Sequence, residues 1–152
     1  MSKLLIRALD CLDNGQLGAS VDLVAAAFAD PERYGRDRIT REMLGDHPVF
    51  YRQFFVALKG GRIVGVGGVK AADWAAKTHL LYLSAVAPER RGQGIGRALL
   101  EARIEWVERR FGNGRILTST TRAKRFRELG FVEVKDSDIN ERCLMLYRFG
   151  KS

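Results

Sequence analysis

The residues best suited to chemistry are gathered in Arg90-Arg91-Gly92-Gln93-Gly94-Ile95-Gly96, between an apolar run, Leu80 to Val86, and an amphipathic stretch beginning at Ile95. Three glycines at alternate positions remove the Cβ atoms that would hold a ligand off the backbone. They also permit the positive-φ geometry in which successive N–H groups converge. A helix starting inside the turn adds its unpaired N–H groups and the positive end of its dipole to the same spot. An anion is the natural occupant. Two glycine motifs fail on register: a dinucleotide fingerprint needs Gly or Ala at Arg97 or Leu99, and a P-loop needs Lys then Ser or Thr where Arg97 and Ala98 stand.

The charge follows this loop. The 152-residue chain has a formal net charge of +8, and residues 90–127, with 11 Lys or Arg against 3 Glu, hold the whole excess. Such a focused excess suits a small polyphosphorylated ligand. Nucleic acid is the least supported partner, because no RNP-like aromatic pattern or recognition-helix motif is present. Cys11 and Cys143 show neither CxxC nor Cys/His spacing, so no disulfide framework and no metal site is expected. Neither cysteine has a neighbour to depress its pKa, which makes both poor nucleophiles. No stretch nears the ~18 apolar residues of a membrane span, and the first apolar run is too short for a signal peptide. A soluble, cytoplasmic protein is expected.

Among proton-moving groups, His79 is the one in the Thr78–Val86 run whose unperturbed pKa lies near neutrality. It is a candidate base, set against the plainer reading of a structural histidine. Tyr34, Tyr51, Tyr82 and Tyr147 are the phenols. On strand parity Tyr82 lies with Ser84 and Val86, opposite His79, so the two share no cleft unless a bulge intervenes. Glu89, beside the turn, reads as a surface carboxylate.

The elements that must position these groups are legible from periodicity. Lys3 to Leu9 alternates as a first strand. Leu17, Val21, Val24 and Phe28 recur at helical spacing, with Asp13 or Asn14 as cap. Residues 30–52 are broken by Pro31, Gly35, Gly45 and Pro48, with a short helix at about Arg38 to Leu44. This segment interleaves Asp30, Glu32, Asp37, Glu42 and Asp46 with Arg33, Arg36, Arg38 and Arg41. Gln53–Lys59 and Arg62–Ala71 form a hairpin around Gly60-Gly61. Thr78–Ala87 reads as a strand buried on both faces. A helix from Gly94 to about Phe111 buries Ile95, Leu99, Ala102 and Trp106 together with Leu100, Ile104 and Val107. Arg115–Ser119 is a strand, a short helix starts at Thr121 with Gly130 as its C′ residue, and Phe131–Val134 and Cys143–Phe149 close the chain. Phe126, Trp106, Phe131 and Trp74 read as core aromatics. The order gives an α/β sandwich on a mixed sheet.

Arg91-x-x-Gly94-x-Gly96, with Ala85-Val86-Ala87-Pro88 before it and Ala98-Leu99-Leu100 after it, resembles the acetyl-CoA pyrophosphate loop of the GNAT superfamily of N-acetyltransferases. The element order matches that family over essentially the whole chain. The resemblance implies a single domain over residues 1–152, α/β, with a mixed, mostly antiparallel central sheet flanked by helices. It implies acetyl-CoA as co-substrate, bound by Gly92, Gln93, Gly94, Ile95 and Gly96 with Arg91 and Arg97 near the charge. Ala85 and Val86 would hold the pantetheine arm through their backbone, with the Val86 N–H near the thioester carbonyl. It also implies that acceptor contacts come from residues 30–52. Ser119 stands where many members carry Asn, and Phe126 where many carry a Tyr that protonates the departing thiolate. No carboxylate lies on the central strand, which leaves His79 and Tyr82 as candidate catalytic residues. The implied activity is direct transfer of an acetyl group, in a ternary complex, to a primary amine on a small molecule or peptide. The alternative is an acyl-CoA-binding sensor without turnover. The sequence leaves the oligomeric state open, a homodimer included.

Overall fold

A computed structural model describes residues 3–45 and 50–150; Asp46 and Pro48 of the acceptor segment lie outside the described residues. The first strand, β1 (Leu4–Ala8), leads into α1 (Asn14–Phe28). Asp13 caps α1 by accepting the Gln16 N–H at 3.0 Å, which satisfies one of the donors every helix start leaves open. The second helix, α2 (Arg36–Leu44), begins two residues earlier than the apolar pattern suggests, because extended Gly35 serves as its N-cap. Gly60 and Gly61, at φ +59° and +75°, turn β2 (Arg52–Lys59) into β3 (Arg62–Ala71). Next come β4 (Thr78–Val86), a 3₁₀ turn at Pro88–Arg90 that periodicity does not signal, and α3 (Ile95–Phe111). The chain closes with β5 (Gly114–Thr120), α4 (Ala123–Glu128), β6 (Val132–Glu133) and β7 (Cys143–Phe149).

The seven strands form one sheet in the order β1-β2-β3-β4-β5-β7-β6. Every neighbouring pair is antiparallel except β4 and β5, which α3 joins as a crossover and therefore leaves parallel. The fold is thus a single-domain α/β sandwich on a mostly antiparallel sheet, as expected. On one face α3 packs Ile95, Leu99, Leu100, Ile104 and Val107 against Phe55, Val64, Val69, Leu81 and Ile116. On the other, Val21, Val24, Ile39 and Met43 of α1 and α2 cover Phe54, Val56, Val66, Leu83 and Ala85.

Three expectations need correction. Trp74 is not core: it is 65% exposed on the β3–β4 connection. Ala102 and Trp106 are half-buried, and the fully enclosed position beside them is Arg103, 3% exposed. Tyr82 does lie opposite His79, but it does not share a face with Ser84 and Val86. Tyr82 packs with the α1–α2 cluster, whereas Val86 packs with the α3 cluster and Ser84 accepts from Arg103 of α3. The cause is a bulge: Leu83 sits at φ +49°, and Leu83 and Ser84 together oppose Gly67 between the pairs Val66–Ala85 and Gly68–Tyr82.

Candidate active site

The same bulge opens the site. β4 pairs with β5 only at Thr78–Arg115, His79–Ile116 and Leu80–Leu117. Beyond Leu80, β4 runs on to Val86 held by β3 alone, and beyond Leu117, β5 runs on to Thr120 held by β7 alone. Two strand edges therefore face each other across a gap with their hydrogen-bonding groups unspent on one another. The Ala87 N–H donates to Val64 O at 2.9 Å on the β3 side. Because backbone groups alternate in direction along a strand, the N–H and C=O of Val86 turn to the gap, while those of Ala85 turn to β3.

The glycine turn stands at the mouth of this gap. Gly92 and Gly94 both adopt φ +80°, in the left-handed region that disfavours side chains, and open space surrounds the position a Cβ would take at each. Gly94 is the N-cap of α3 and has no side chain to satisfy the first N–H groups of that helix. They remain available, with the helix dipole behind them. A Cβ at Gly96 would lie 2.7 Å from Arg125 Nη1, so the glycine lets the α4 guanidinium close against the start of α3. Partial burial, and then the neighbouring Arg122 charge, hold Arg125 below the usual arginine range. Arg125 thus stands at a helix start with a second cation beside it, an arrangement an anion relieves. Arg91 makes no ion pair among the described residues, whereas Arg97 is engaged by Glu101 at 2.8 Å and by Glu128 at 3.4 Å. Gln93 accepts from Lys59 Nζ at 3.5 Å, which ties the turn to β2.

The remaining residues singled out from sequence are distributed more widely. Ser119, exposed near the end of β5, accepts from Arg142 through both its hydroxyl (3.1 Å) and its carbonyl (2.9 Å), which ties it to the connection that precedes β7. Phe126 is half-buried and meets Phe131 edge to face at 5.2 Å. His79 lies at the closed end of the β4–β5 pair, 3% exposed, with Nδ1 2.6 Å from the Tyr51 hydroxyl and Phe111 and Phe149 against the ring. Burial lowers its pKa to about 4, so it is neutral at pH 7. Tyr82 borders the bulge and donates to Glu42 Oε2 of α2 at 2.8 Å, with Arg52 Nη1 3.7 Å from the same oxygen. Burial, and then that hydrogen bond, push the Tyr82 phenol well above its ordinary range. Cys11 donates to Met43 O at 3.2 Å, Cys143 is buried, and burial raises both thiols.

Sequence reasoning missed three groups. Glu42 was one of five acceptor-segment carboxylates, and nothing in its local pattern marked it as the one bonded across 40 residues to Tyr82. Arg142 had no signal. Arg103 had one: its neighbours on the helical wheel, Leu99, Leu100, Ile104 and Val107, all face the core.

A family model described as the acetyltransferase (GNAT) family matches residues 21–131. No curated protein sequence matches the chain. Among solved structures, the chain is similar to the ribosomal-protein-S18-alanine N-acetyltransferase from Escherichia coli (TM-score 0.75, 18% identity, covering 99% of this chain and 96% of that one). It is likewise similar to an acyl-CoA N-acyltransferase from Pseudomonas aeruginosa (0.74, 18%, 95% and 99%). A third neighbour is a PaiA N-acetyltransferase from Thermoplasma acidophilum in complex with coenzyme A (0.75, 15%, 97% and 99%). No described helix is long and apolar enough to cross a membrane.

Proposed function

The chain belongs to the GNAT acetyltransferase family, and from that premise we propose that it moves the acetyl group of acetyl-CoA to a primary amine, on a small molecule or peptide, by direct attack in a ternary complex. One observation carries this reading: the gap between β4 and β5, with a cation-flanked glycine cradle at its mouth. The residues present fit a coenzyme with a pyrophosphate. The cradle has open space where side chains would stand, its N–H groups are uncapped, and Arg125 and Arg122 supply charge beside them.

Acyl-CoA supplies an activated thioester. The amine nitrogen attacks the carbonyl carbon, the carbon–sulfur bond breaks, a proton leaves nitrogen and a proton reaches sulfur. In this reading the N–H groups of Gln93, Gly94, Ile95 and Gly96 bind the pyrophosphate, with Arg91 adding charge from outside the cradle. The Val86 backbone, turned to the gap, accepts the amide arm and donates to the carbonyl oxygen as it gains negative charge. Ala85 shapes the wall from the α1–α2 side. Glu42, turned inward from the acceptor segment, draws a cationic amine toward the bulge. Tyr82 stays protonated with its hydrogen given to Glu42, so it orients that carboxylate, and with Phe126 at the usual phenol position the departing thiolate takes its proton from solvent. His79, neutral and enclosed by aromatic rings, is assigned a structural role. Both thiols are raised and sheltered, which favours direct transfer over an acyl-enzyme. Free, unpaired cysteines are in keeping with a cytoplasmic location.

The test is calorimetry with acetyl-CoA followed by a thiol-release assay over amines, polyamines and peptide N-termini. Saturable binding with acceptor-dependent release supports the reading. Binding without release for every acceptor favours the sensor, for which the specific observation is Phe126 packed on Phe131 where a donor would stand. No binding at millimolar acetyl-CoA removes both.

A further inference from the structure

Arg103 is a charged side chain in the middle of the α3 core face, 3% exposed, and among the described residues no carboxylate pairs with it. A buried guanidinium without a counter-ion is costly, and an apolar side chain of similar volume would fill the space without that cost. Burial lowers its pKa to about 10, so it stays charged at neutral pH. Its hydrogen bonds all go to neutral acceptors on three elements: Nε to Leu99 O of α3 (3.1 Å), Nη1 to Gly68 O of β3 (3.0 Å), and Nη1 to Ser84 Oγ of β4 (2.8 Å). These meet at the bulge, where Leu83 and Ser84 interrupt the ladder opposite Gly67. The sequence also clears room there, since a Cβ at Gly67 would lie 2.7 Å from Arg103 Cζ. A glycine in the middle of a central strand weakens the strand and marks a close approach; here the approaching group is this guanidinium.

We propose that Arg103 is a positioning residue for acyl transfer: its guanidinium clamps the β4 bulge and so holds the edge from Ser84 to Val86 in the orientation that faces the cleft. A flat fork of five donors is suited to bridging three acceptors in different directions, which a single ammonium cannot do. Without the clamp, β4 is free to relax toward a regular ladder, and a regular β4 would carry its pairing with β5 past Leu80 and narrow the gap. The pyrophosphate cradle lies at the N-terminus of α3, beyond the bulge, so loss of the clamp leaves coenzyme binding largely intact while misplacing the group that meets the thioester. The proposal rests on the acetyltransferase reading above.

The experiment compares native protein, Arg103→Met, Arg103→Lys and Ser84→Ala. Ser84→Ala removes only the bond to the bulge and keeps those to Leu99 and Gly68, so it remains informative if the Arg103 variants fold poorly. With an amine competent for the native protein, Ser84→Ala is expected to lower kcat about tenfold and Arg103→Met about a hundredfold, with the KM for acetyl-CoA changed little. Arg103→Lys is expected to fall near Arg103→Met, because the charge alone does not restore three bonds. Amide hydrogen exchange supplies a readout independent of turnover: protection at Ala85 and Ala87, whose N–H groups turn to β3, should fall by about tenfold in Ser84→Ala while β2 and β7 are unchanged. Native-like kcat in both Ser84→Ala and Arg103→Met, equal losses in kcat and acetyl-CoA binding, or unchanged exchange at the bulge would each overturn the proposal. A native protein that releases no CoA with any acceptor overturns the acetyltransferase reading itself, and that result is distinct because it precedes any comparison of variants.

Discussion

Acidification tests the environment of His79 directly. Its Nδ1 is 2.6 Å from the Tyr51 hydroxyl, and its Nε2 is buried with no hydrogen-bond partner among the described residues. The ring is walled by Phe111 at 4.5 Å, Tyr51 at 5.7 Å and Phe149 at 6.1 Å between centroids. The ring is 3% exposed, and that burial lowers the pKa from 6.5 to about 4. The unfolded chain therefore takes up the proton first. The stability this histidine contributes is fully present above its unfolded pKa, falls as pH drops below that value, and is gone below the folded pKa. The gap between the two values corresponds to about 3 kcal/mol. Urea unfolding between about pH 7 and pH 4 measures it, with Tyr51→Phe/His79→Leu as the reference that removes the titration without leaving the phenol unpaired. The native protein should lose about 3 kcal/mol more than the double variant over that range. Parallel losses in the two proteins would refute the argument.

Gly94→Glu should abolish acetyl-CoA binding, because it puts a side chain at φ +80° and a negative charge in the cradle. A thermal melt should then lose the ~2.7 kcal/mol of ligand stabilisation that the native protein shows at a hundred times its dissociation constant. Replacing Arg122, Lys124 and Arg125 together should weaken CoA more than 3′-dephospho-CoA in calorimetry; equal losses would reduce the cluster to a solvated face. Phe126→Tyr should preserve or raise CoA release by up to about 10²-fold, the lower range of general-acid help. Phe126→Ala should instead act through lost packing on Phe131 and lower the melting temperature.

The glycine turn and the order of elements were readable because their signals are local. Alternating glycines, a helix beginning at Ile95, and Pro88 ending the strand are decided within a few residues, and the structure follows them. The order of elements came from period alone, and α3 shows why that works: Ile95, Leu99, Leu100 and Val107 are at most 2% exposed, so burial enforces their spacing. Trp74 shows the limit. Its size argued for burial, but whether anything covers a loop residue depends on elements distant in the chain, and here the residue stays 65% exposed.

The Glu42–Tyr82 pairing was harder to read because its partners are joined by the sheet rather than by the sequence. Glu42 reaches Tyr82 only because α2 lies on the face to which Tyr82 points, and that face is fixed by parity counted from the closed end of β4. Past Leu83 the count fails, since an αL residue in a strand-forming context leaves no mark in composition: leucine is neither glycine nor asparagine. The indication lay elsewhere, in Gly67 on the partner strand and in an arginine among leucines on α3. Each feature alone breaks a local rule, a glycine in a central strand and a charge on a core face. Taken together they describe one object, a space on β3 and a guanidinium to fill it, and the bond from Arg103 to Ser84 places that object at the irregularity in β4. Where two departures from pattern fit each other in size and chemistry, their joint presence argues for a shared structural cause, and here that cause is the opening between β4 and β5.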